Sequence, residues 1–283
     1  MKLHTLVISL LTVMPIYAAT NAQPSLCVAS YNLRYASSTP PNSWPERRPL
    51  MRDVIRSISP DLLGTQEGLH AQLKDIATDL PEYNWIGRGR DGGDRGEFMA
   101  IFYRKARLEP LSTNHFWLSD TPEVVASTTW GNSNRRMVTS VKFRDRQTGG
   151  EFYFFNTHFD HQVQLAREKS ATLVRSRVAA LSTNLPIILG GDFNSDAGNN
   201  KAYEILTAGD FFKDSWLTTP NRKGVGFGTF NGFDSMPING ERIDWILTRG
   251  DVVVESAEIV TNKPQGQWAS DHFPIVAHLR IGK

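Results

Sequence analysis

The sequence predicts an α+β fold in which two packed β-sheets are flanked by helices. Three observations lead there. Short β-type runs recur along the 283-residue chain, amphipathic helical patterns fall between only some of them, and the runs gather in two halves. A doubly wound parallel sheet would require strict alternation of strands and helices instead. Hydrophobic residues make up 40% of the chain, and its 7 Trp, 7 Tyr and 15 Phe exceed what a solvated, disordered chain carries. With no internal repeat, low-complexity tract or linker in view, residues 23–283 are expected to form a single domain.

The first segment is "MKLHTLVISLLTVMPIYAATNA", in which Lys2 leads an apolar run from Leu6 to Tyr17 that gives way to small residues before Gln23. That pattern is a secretory signal peptide over residues 1–22. The run is too short to span a bilayer and no other stretch is long enough, so a secreted or periplasmic protein without a transmembrane segment is expected. Cys27 is the one cysteine, which excludes an internal disulfide, and Leu26 stands where a lipoprotein signal requires a small residue. Loss of Lys2 takes the formal charge from +2 to +1. A near-neutral chain offers no large basic face, so nucleic acid is not the favoured partner.

The mature chain then opens with "LCVASYNLRY", an apolar run that delivers Asn32 at its end. An amphipathic pattern from Glu46 to Ser57 separates it from "DLLGTQE", which drives into Gln66 and Glu67, and a second pattern runs from Gly68 to Leu80. "FMAIFYR", "RMVTSVKF" and "EFYFFNTHF" follow as strands, then a helical pattern from Val163 to Leu181, the strand "PIILGGDFN" and a short helix from Ala202 to Ala208. "RIDWILT", "DVVVESAEIV" and "FPIVAHLRI" complete the series. Several of these strands end in polar clusters, and strand ends are where sandwich proteins carry binding loops.

Period-2 geometry places Phe152, Phe154, Asn156, His158 and Asp160 on one face of their strand. The plain alternative is a strand end with a buried Asn and a hydrogen-bonded His. "PIILGGDFNSD" repeats the device: Gly190 and Gly191 permit close backbone approach, and Asp192 and Asn194 share a face. Asp192, Asn194 and Asp196 also match the first positions of an EF-hand, but Ala197 replaces the required Gly and Tyr203 the required Glu. Towards the C-terminus, "RIDWIL" supplies Asp244, and "SDHFP" the adjacent Asp271 and His272. A carboxylate that orients a His beside a second carboxylate is an acid–base arrangement.

Glu67, Asn32 and the Asp residues make a sparse oxygen set that suits a hard cation such as Mg²⁺, which fills its remaining positions with water and substrate phosphate. Without clustered Cys or an HExxH helix, a softer metal fits poorly. Ser270 lies too close in sequence to His272 to be its nucleophile, and no G-x-S-x-G elbow exists. "GRGRDG" at 87–92 matches G-x-G-x-x-G but leads into a charged loop and a strand, which argues against a dinucleotide site.

The ordered series "YNLRY", "GTQEG", "NTHFDH", "GGDFNS", "RIDWI" and "SDHFP" resembles the endonuclease/exonuclease/phosphatase superfamily of metal-dependent phosphoesterases, over about residues 27–281. The resemblance implies a four-layer αββα sandwich of two mixed sheets, with the site at the sheet edges. It further implies attack of water on phosphorus assisted by Mg²⁺, with Mn²⁺ able to substitute. By position, Glu67 resembles the principal metal ligand, Asn32 its companion, and Asp271 a further member of the metal shell. Asp192 resembles the residue that orients or deprotonates water, Asn194 a phosphate ligand, and His272 the site histidine held by Asp244. His158 resembles a second histidine that contacts the scissile phosphate. Either Asp192 or His272 fits the base.

Abasic-site nucleases carry a Tyr-containing motif where this chain has "NTHFDH", so DNA repair is not implied. A group of secreted bacterial members shares "GRGRDGGDRGEF", "FWLSDTP" and "NTHFDHQ". In that group Glu97, Arg135, Arg136, Asp160, His161 and Arg167 are candidates for substrate contact or for supporting it, with a salt-bridged structural role as the alternative for each; Asn156 is expected to organise the site and bind substrate. The expected function is a secreted, monomeric phosphodiesterase or phosphatase acting on a small, glycan-linked or lipid-linked phosphoester. A secreted nuclease and a catalytically inactive phosphate-ligand binding protein are the alternatives.

Overall fold

The structure is a computed structural model that describes residues 24–282. The signal peptide expected at 1–22 lies outside the described residues. In chain order the elements are β1 (Leu26–Asn32), α1 (Trp44–Ile58), β2 (Leu62–Gln66), α2 (His70–Asp79), β3 (Tyr83–Ile86), β4 (Ile101–Arg104), β5 (Leu108–Trp117), β6 (Met137–Asp145) and β7 (Glu151–His158). There follow α3 (Gln164–Ala179), β8 (Ile187–Asp192), α4 (Lys201–Thr207), β9 (Lys213–Asp214), α5 (Ser215–Thr218), β10 (Arg222–Lys223), β11 (Asp244–Arg249), β12 (Val252–Ile259) and β13 (Ile275–Ile281). The four helices and nine strands read from the sequence are all present, with ends displaced by a few residues. Four strands, β3, β5 and the two-residue β9 and β10, and the four-residue helix α5 have no counterpart in the sequence reading.

Two mixed sheets form, as expected: one of seven strands in the order β10-β12-β13-β1-β2-β4-β3, the other of six in the order β5-β6-β7-β8-β11-β9. Three apolar cores give the four layers. Val28, Leu62 and Ile101 of the first sheet meet Phe154, Ile188 and Ile246 of the second in the middle. Met51, Val54, Leu73 and Ile76 pack α1 and α2 on the outer face of the first sheet. Ala171, Val174, Ala202 and Leu206 pack α3 and α4 on the outer face of the second. Strand alternation decides which residues go where: Phe152 and Phe154 face the middle core and Phe155 the helices. No helix among the described residues is long and apolar enough to cross a membrane. Cys27 is buried inside β1, and burial raises its thiol to about 12, so it acts as a small apolar residue.

The chain's first and last strands are hydrogen-bonded neighbours, β1 and β13 pairing antiparallel from Leu26↔Leu279 to Ser30↔Ile275. Parallel pairs β1/β2 and β7/β8 end at Asn32↔Gln66 and His158↔Asp192, one pair in each sheet. Just below those ends the two sheets are joined by polar groups. Asn156 is fully buried, and its Nδ2 donates to the carbonyls of Thr65 and Ala100, both at 2.8 Å, while its Oδ1 accepts from Gln66 Nε2 at 2.7 Å. Gly64 makes room, since a Cβ there would lie 2.9 Å from Asn156 Oδ1.

Asn156 therefore corrects an expectation: it shares a face with His158, as predicted, but sits between the sheets and cannot touch a substrate. Every polar atom of its amide is bonded to the opposite sheet. Replacing it with Leu strands buried donors and acceptors, each costing about 1–3 kcal/mol. Asn156→Leu should therefore lower stability by about 3 kcal/mol, read as a lower urea midpoint by circular dichroism. An unchanged midpoint would show that the tie is dispensable.

Candidate active site

The rim where β1, β2, β7 and β8 end carries nearly all the chemistry read from the sequence. β11 runs antiparallel to β8 and begins at this rim, which sets Asp244 directly opposite Asp192. Residues 271–272 arrive just before β13, and His272 bridges back to Phe230. Arg34, Glu67 and Asn194 follow strand ends with positive φ of 53°, 62° and 47°. Left-handed backbone is uncommon for such residues and clusters at functional sites; here it lets the chain turn while the side chain stays at the rim.

Arg47 of α1 holds two of the rim loops from behind. It is fully buried, and its guanidinium donates to five carbonyls at 2.8–3.0 Å: Asn42, Leu33, Ala269, Arg34 and Tyr35. All five N–H groups of an arginine are thus used, with no carboxylate needed. Those carbonyls belong to the loop after β1 and to the segment that leads into Asp271.

The rim opens into a pocket of about 330 Å³. Asp192 lies at its floor, with Oδ2 accepting from Asn32 Nδ2 at 2.9 Å and facing the Nε2 atoms of His158 at 3.4 Å and His272 at 3.7 Å. Its Oδ1 accepts the backbone N–H of Asn194 at 3.0 Å. Behind His272, Nδ1 meets Asp244 Oδ2 at 3.0 Å. Burial and the facing Asp244 raise the Asp192 carboxyl to about 7. Burial alone would lower His272, but Asp244 and Asp192 outweigh it and lift the imidazole to about 10. Lying between Asp244 and Asp192, the ring is favoured in its protonated form.

Two groupings of ligand-type side chains invite comparison. Asp192, Asp244 and His272 bring donor atoms within 4.8 Å of one another, the one such grouping of three found among the described residues. Both nitrogens of His272 face carboxylates, and a protonated ring has no lone pair to offer a metal. The contacts of this grouping favour a proton on the ring. Glu67 and Asp271 are the better fit to a hard cation: both line the pocket, both offer only oxygen, and Arg34 stands between them with Nη1 3.9 Å from Glu67 and Nε 3.6 Å from Asp271. That arginine marks a place where two carboxylates draw positive charge.

Asn32 departs from the expected ligand role. Its Oδ1 accepts the Arg34 N–H at 2.9 Å, and its Nδ2 donates to Glu67 Oε1 at 3.1 Å and to Asp192, so it offers hydrogens and not oxygen to the site. It is the bracket that sets the spacing between the cation side and the acid–base side.

The structure brings together Glu67, Arg136, His158, His161, Asp192, Asn194, Asp271 and His272 around the pocket, with Asn32 and Asp244 buried behind, and adds Glu97, which binds Arg90 at 2.6 Å in the pocket wall. Two expected substrate residues besides Asn156, Arg135 and Asp160, are placed otherwise. Arg135 is exposed and bonds Ala126 O and Asp91 outside the pocket. Asp160 is buried and caps the approach to α3, its Oδ1 accepting the N–H groups of Gln162 and Val163 at 2.9 and 2.7 Å. Arg136, though only 3% exposed, lines the pocket and sets its guanidinium against the His158 and His161 rings. Arg167 braces the same turn through the carbonyl of Asp160 at 3.0 Å.

Arg34, Tyr35, Arg90, Asn134 and Phe230 also line the pocket and were not singled out from the sequence. Arg34 and Tyr35 lie inside "YNLRY" and Arg90 inside "GRGRDG", so their motifs pointed to them. Phe230, whose ring stands edge-on to His272 with centroids 5.0 Å apart, lies in a loop with no such signal.

The match to the endonuclease/exonuclease/phosphatase family model covers residues 29–272, from β1 to His272. The chain belongs to that family. Its members are phosphoester hydrolases. A mannosyl-6-phosphatase from Bacteroides thetaiotaomicron VPI-5482 is 37% identical, with a TM-score of 0.86 over 90% of this chain and 100% of that one. A further family protein from Bacteroides thetaiotaomicron is 36% identical, with a TM-score of 0.86 over 90% of this chain and 97% of the other. The uncharacterized protein L388 of Acanthamoeba polyphaga mimivirus is 30% identical over 161 residues, which span 54% of this chain and 60% of the viral protein.

The proton on His272 can be tested directly. A folded-state value of about 10 against an ordinary 6.5 means that its stabilising contribution is complete below pH 6.5 and fades as pH rises towards 10. Titration of ¹⁵N-histidine-labelled protein by NMR should show this ring still protonated at pH 8. In Asp244→Asn its deprotonation should drop into the neutral range, and a ring that loses its proton near pH 6.5 in the unaltered protein would refute the assignment.

Proposed function

We propose that the protein is a Mg²⁺-dependent phosphatase of small sugar phosphates, exported after removal of residues 1–22. The observation that carries this reading is the opposition, inside one pocket, of the Glu67–Asp271 oxygen pair to the Asp192–His272–Asp244 relay. The likeness to the mannosyl-6-phosphatase supports the substrate class. So does the pocket's volume of about 330 Å³, which suits a small ligand. The near-neutral charge weighs against an extended nucleic acid, which needs several phosphate contacts.

Glu67 and Asp271 would hold Mg²⁺, and Mn²⁺ would be accepted by the same oxygens. The cation, when bound, neutralises charge on the phosphoryl oxygens and so admits an electron-rich nucleophile. Asp192 is the base of this reading. His272 already carries its proton, whereas Asp192, raised to about 7, is ionised in much of the population at neutral pH and basic enough to take a proton from water. Asp244 keeps the imidazolium in place and charged. The second N–H of Asn194 Nδ2, whose first is given to Phe159 O at 3.1 Å, remains for a phosphoryl oxygen.

Purified protein incubated with Mg²⁺ and mannose 6-phosphate, other sugar phosphates and bis-p-nitrophenyl phosphate should release phosphate from the sugar monoesters most efficiently. Glu67→Ala should lose most of that activity and regain part of it in excess Mg²⁺. Asp192→Ala should lose about 10²–10⁴-fold, with no rescue by metal. Full activity in Asp192→Ala would remove it as the base, and no turnover on any phosphoester would favour a binding protein.

A further inference from the structure

Arg136 is an expensive residue to bury. It is 3% exposed, and the single carboxylate that contacts it among the described residues, Asp160, lies 3.8 Å from its Nε without a hydrogen bond between them. The guanidinium is committed elsewhere: Nη1 lies 2.8 Å from His158 Nδ1, and Nη2 lies 3.1 Å from His161 Nδ1. One planar group meets two imidazoles at the same ring position.

The chemistry of the donor leaves one solution. An arginine has only N–H groups to offer, so a ring nitrogen bonded to it must present a lone pair. Both Nδ1 atoms are therefore bare, which excludes the doubly protonated imidazolium and puts the proton of each neutral ring on Nε2. Burial and the charge of Arg136 hold His158 well below the ordinary histidine range, in agreement with a neutral ring. Both rings line the pocket, and His158 Nε2 lies 3.4 Å from Asp192 Oδ2.

We infer that Arg136 is a positioning residue that locks His158 and His161 in the Nε2–H tautomer and so presents a pair of neutral hydrogen-bond donors to the phosphoryl group of the substrate. The lock stands on the geometry alone, and its use for a phosphoryl group rests on the function proposed above. Asp160 completes the device: its Oδ1 fixes the turn at Gln162 and Val163, next to His161, while its Oδ2 faces the guanidinium. His158 and His272 thus meet the same carboxylate in opposite states. One is neutral because a cation backs it, and the other charged because a carboxylate does. The arrangement makes His158 and His161 donors that neither take a proton from water nor need one from solvent.

The test uses the mature chain labelled with ¹⁵N-histidine. Long-range ¹H–¹⁵N correlations at pH 7.5 should show Nε2–H and bare Nδ1 for both rings, assigned with His158→Gln and His161→Gln. Addition of inorganic phosphate with Mg²⁺ should shift both Nε2 signals. An Nδ1–H or doubly protonated pattern in either ring would overturn the lock, and Nε2 signals indifferent to phosphate would overturn its use.

Arg136→Lys, which keeps the charge but cannot reach both rings, should let at least one ring exchange between tautomers and weaken phosphate binding tenfold or more. Unchanged tautomers in that variant would also overturn the lock. Should Arg136→Lys not fold, the spectrum of the unaltered protein decides. Absence of hydrolysis beside the expected tautomers and phosphate response would count against the proposed phosphatase activity and leave this arrangement standing.

Discussion

Two carboxylates face each other across a pair of strands in a dry interior. The register of β8 and β11 puts Asp244 opposite Asp192, a pairing that repels and is expensive to bury. His272 resolves it by placing a proton between them, 3.0 Å from one carboxylate and 3.7 Å from the other. The rest of the rim accommodates this one constraint. Asn32 and the Asn194 N–H supply the remaining donors to Asp192, and Phe230 covers the edge of the ring. The same arrangement raises the proton affinity of Asp192 into the neutral range, through burial and Asp244, which is what the proposed role as base draws on.

Around that centre the molecule relies on polar groups bonded to capacity. Arg47 spends all five donors on the carbonyls of two rim loops, and Asn156 spends its whole amide on the opposite sheet. Directional bonds of this kind fix distance and angle as an apolar contact does not, and reacting groups must be held to fractions of an ångström. The apolar cores hold the layers together. The buried amides and guanidinium set where the rim lies.

Much of this was legible before any coordinates. Strand ends could be read because apolar runs broke into Asn, Glu, Asp and His, and six such breaks in order identified both the sandwich and its mouth. What was not legible is depth. Asn156 and His158 differ by one period of the strand, about 7 Å of rise, and that distance separates the sheet interface from the pocket. Arg136 and Asp160 read as substrate contacts or ion-paired supports; both are buried beside each other, and the ring partners that make burial of Arg136 tolerable lie more than twenty residues away in sequence. In the sequence Asn32 reads as an oxygen ligand, but which end of an amide faces a site depends on its neighbours, here the Arg34 N–H. β5 escaped notice because it is an edge strand whose Ser112 to Asn114 stretch is exposed and shows no apolar alternation.

Asn32 stands near the beginning of the described chain and His272 near its end, and β1 lies between β2 and β13 in the same sheet. Contacts between residues 240 positions apart form late, because the chain must close a long loop before they bring any gain. While the polypeptide is still emerging from the ribosome, Asp192 and Asp244 are already made, and the histidine that reconciles them is not. The finished centre thus depends on a residue made late: a product cut short before residue 272 lacks the histidine and with it the proton that lets two of its acids share one interior.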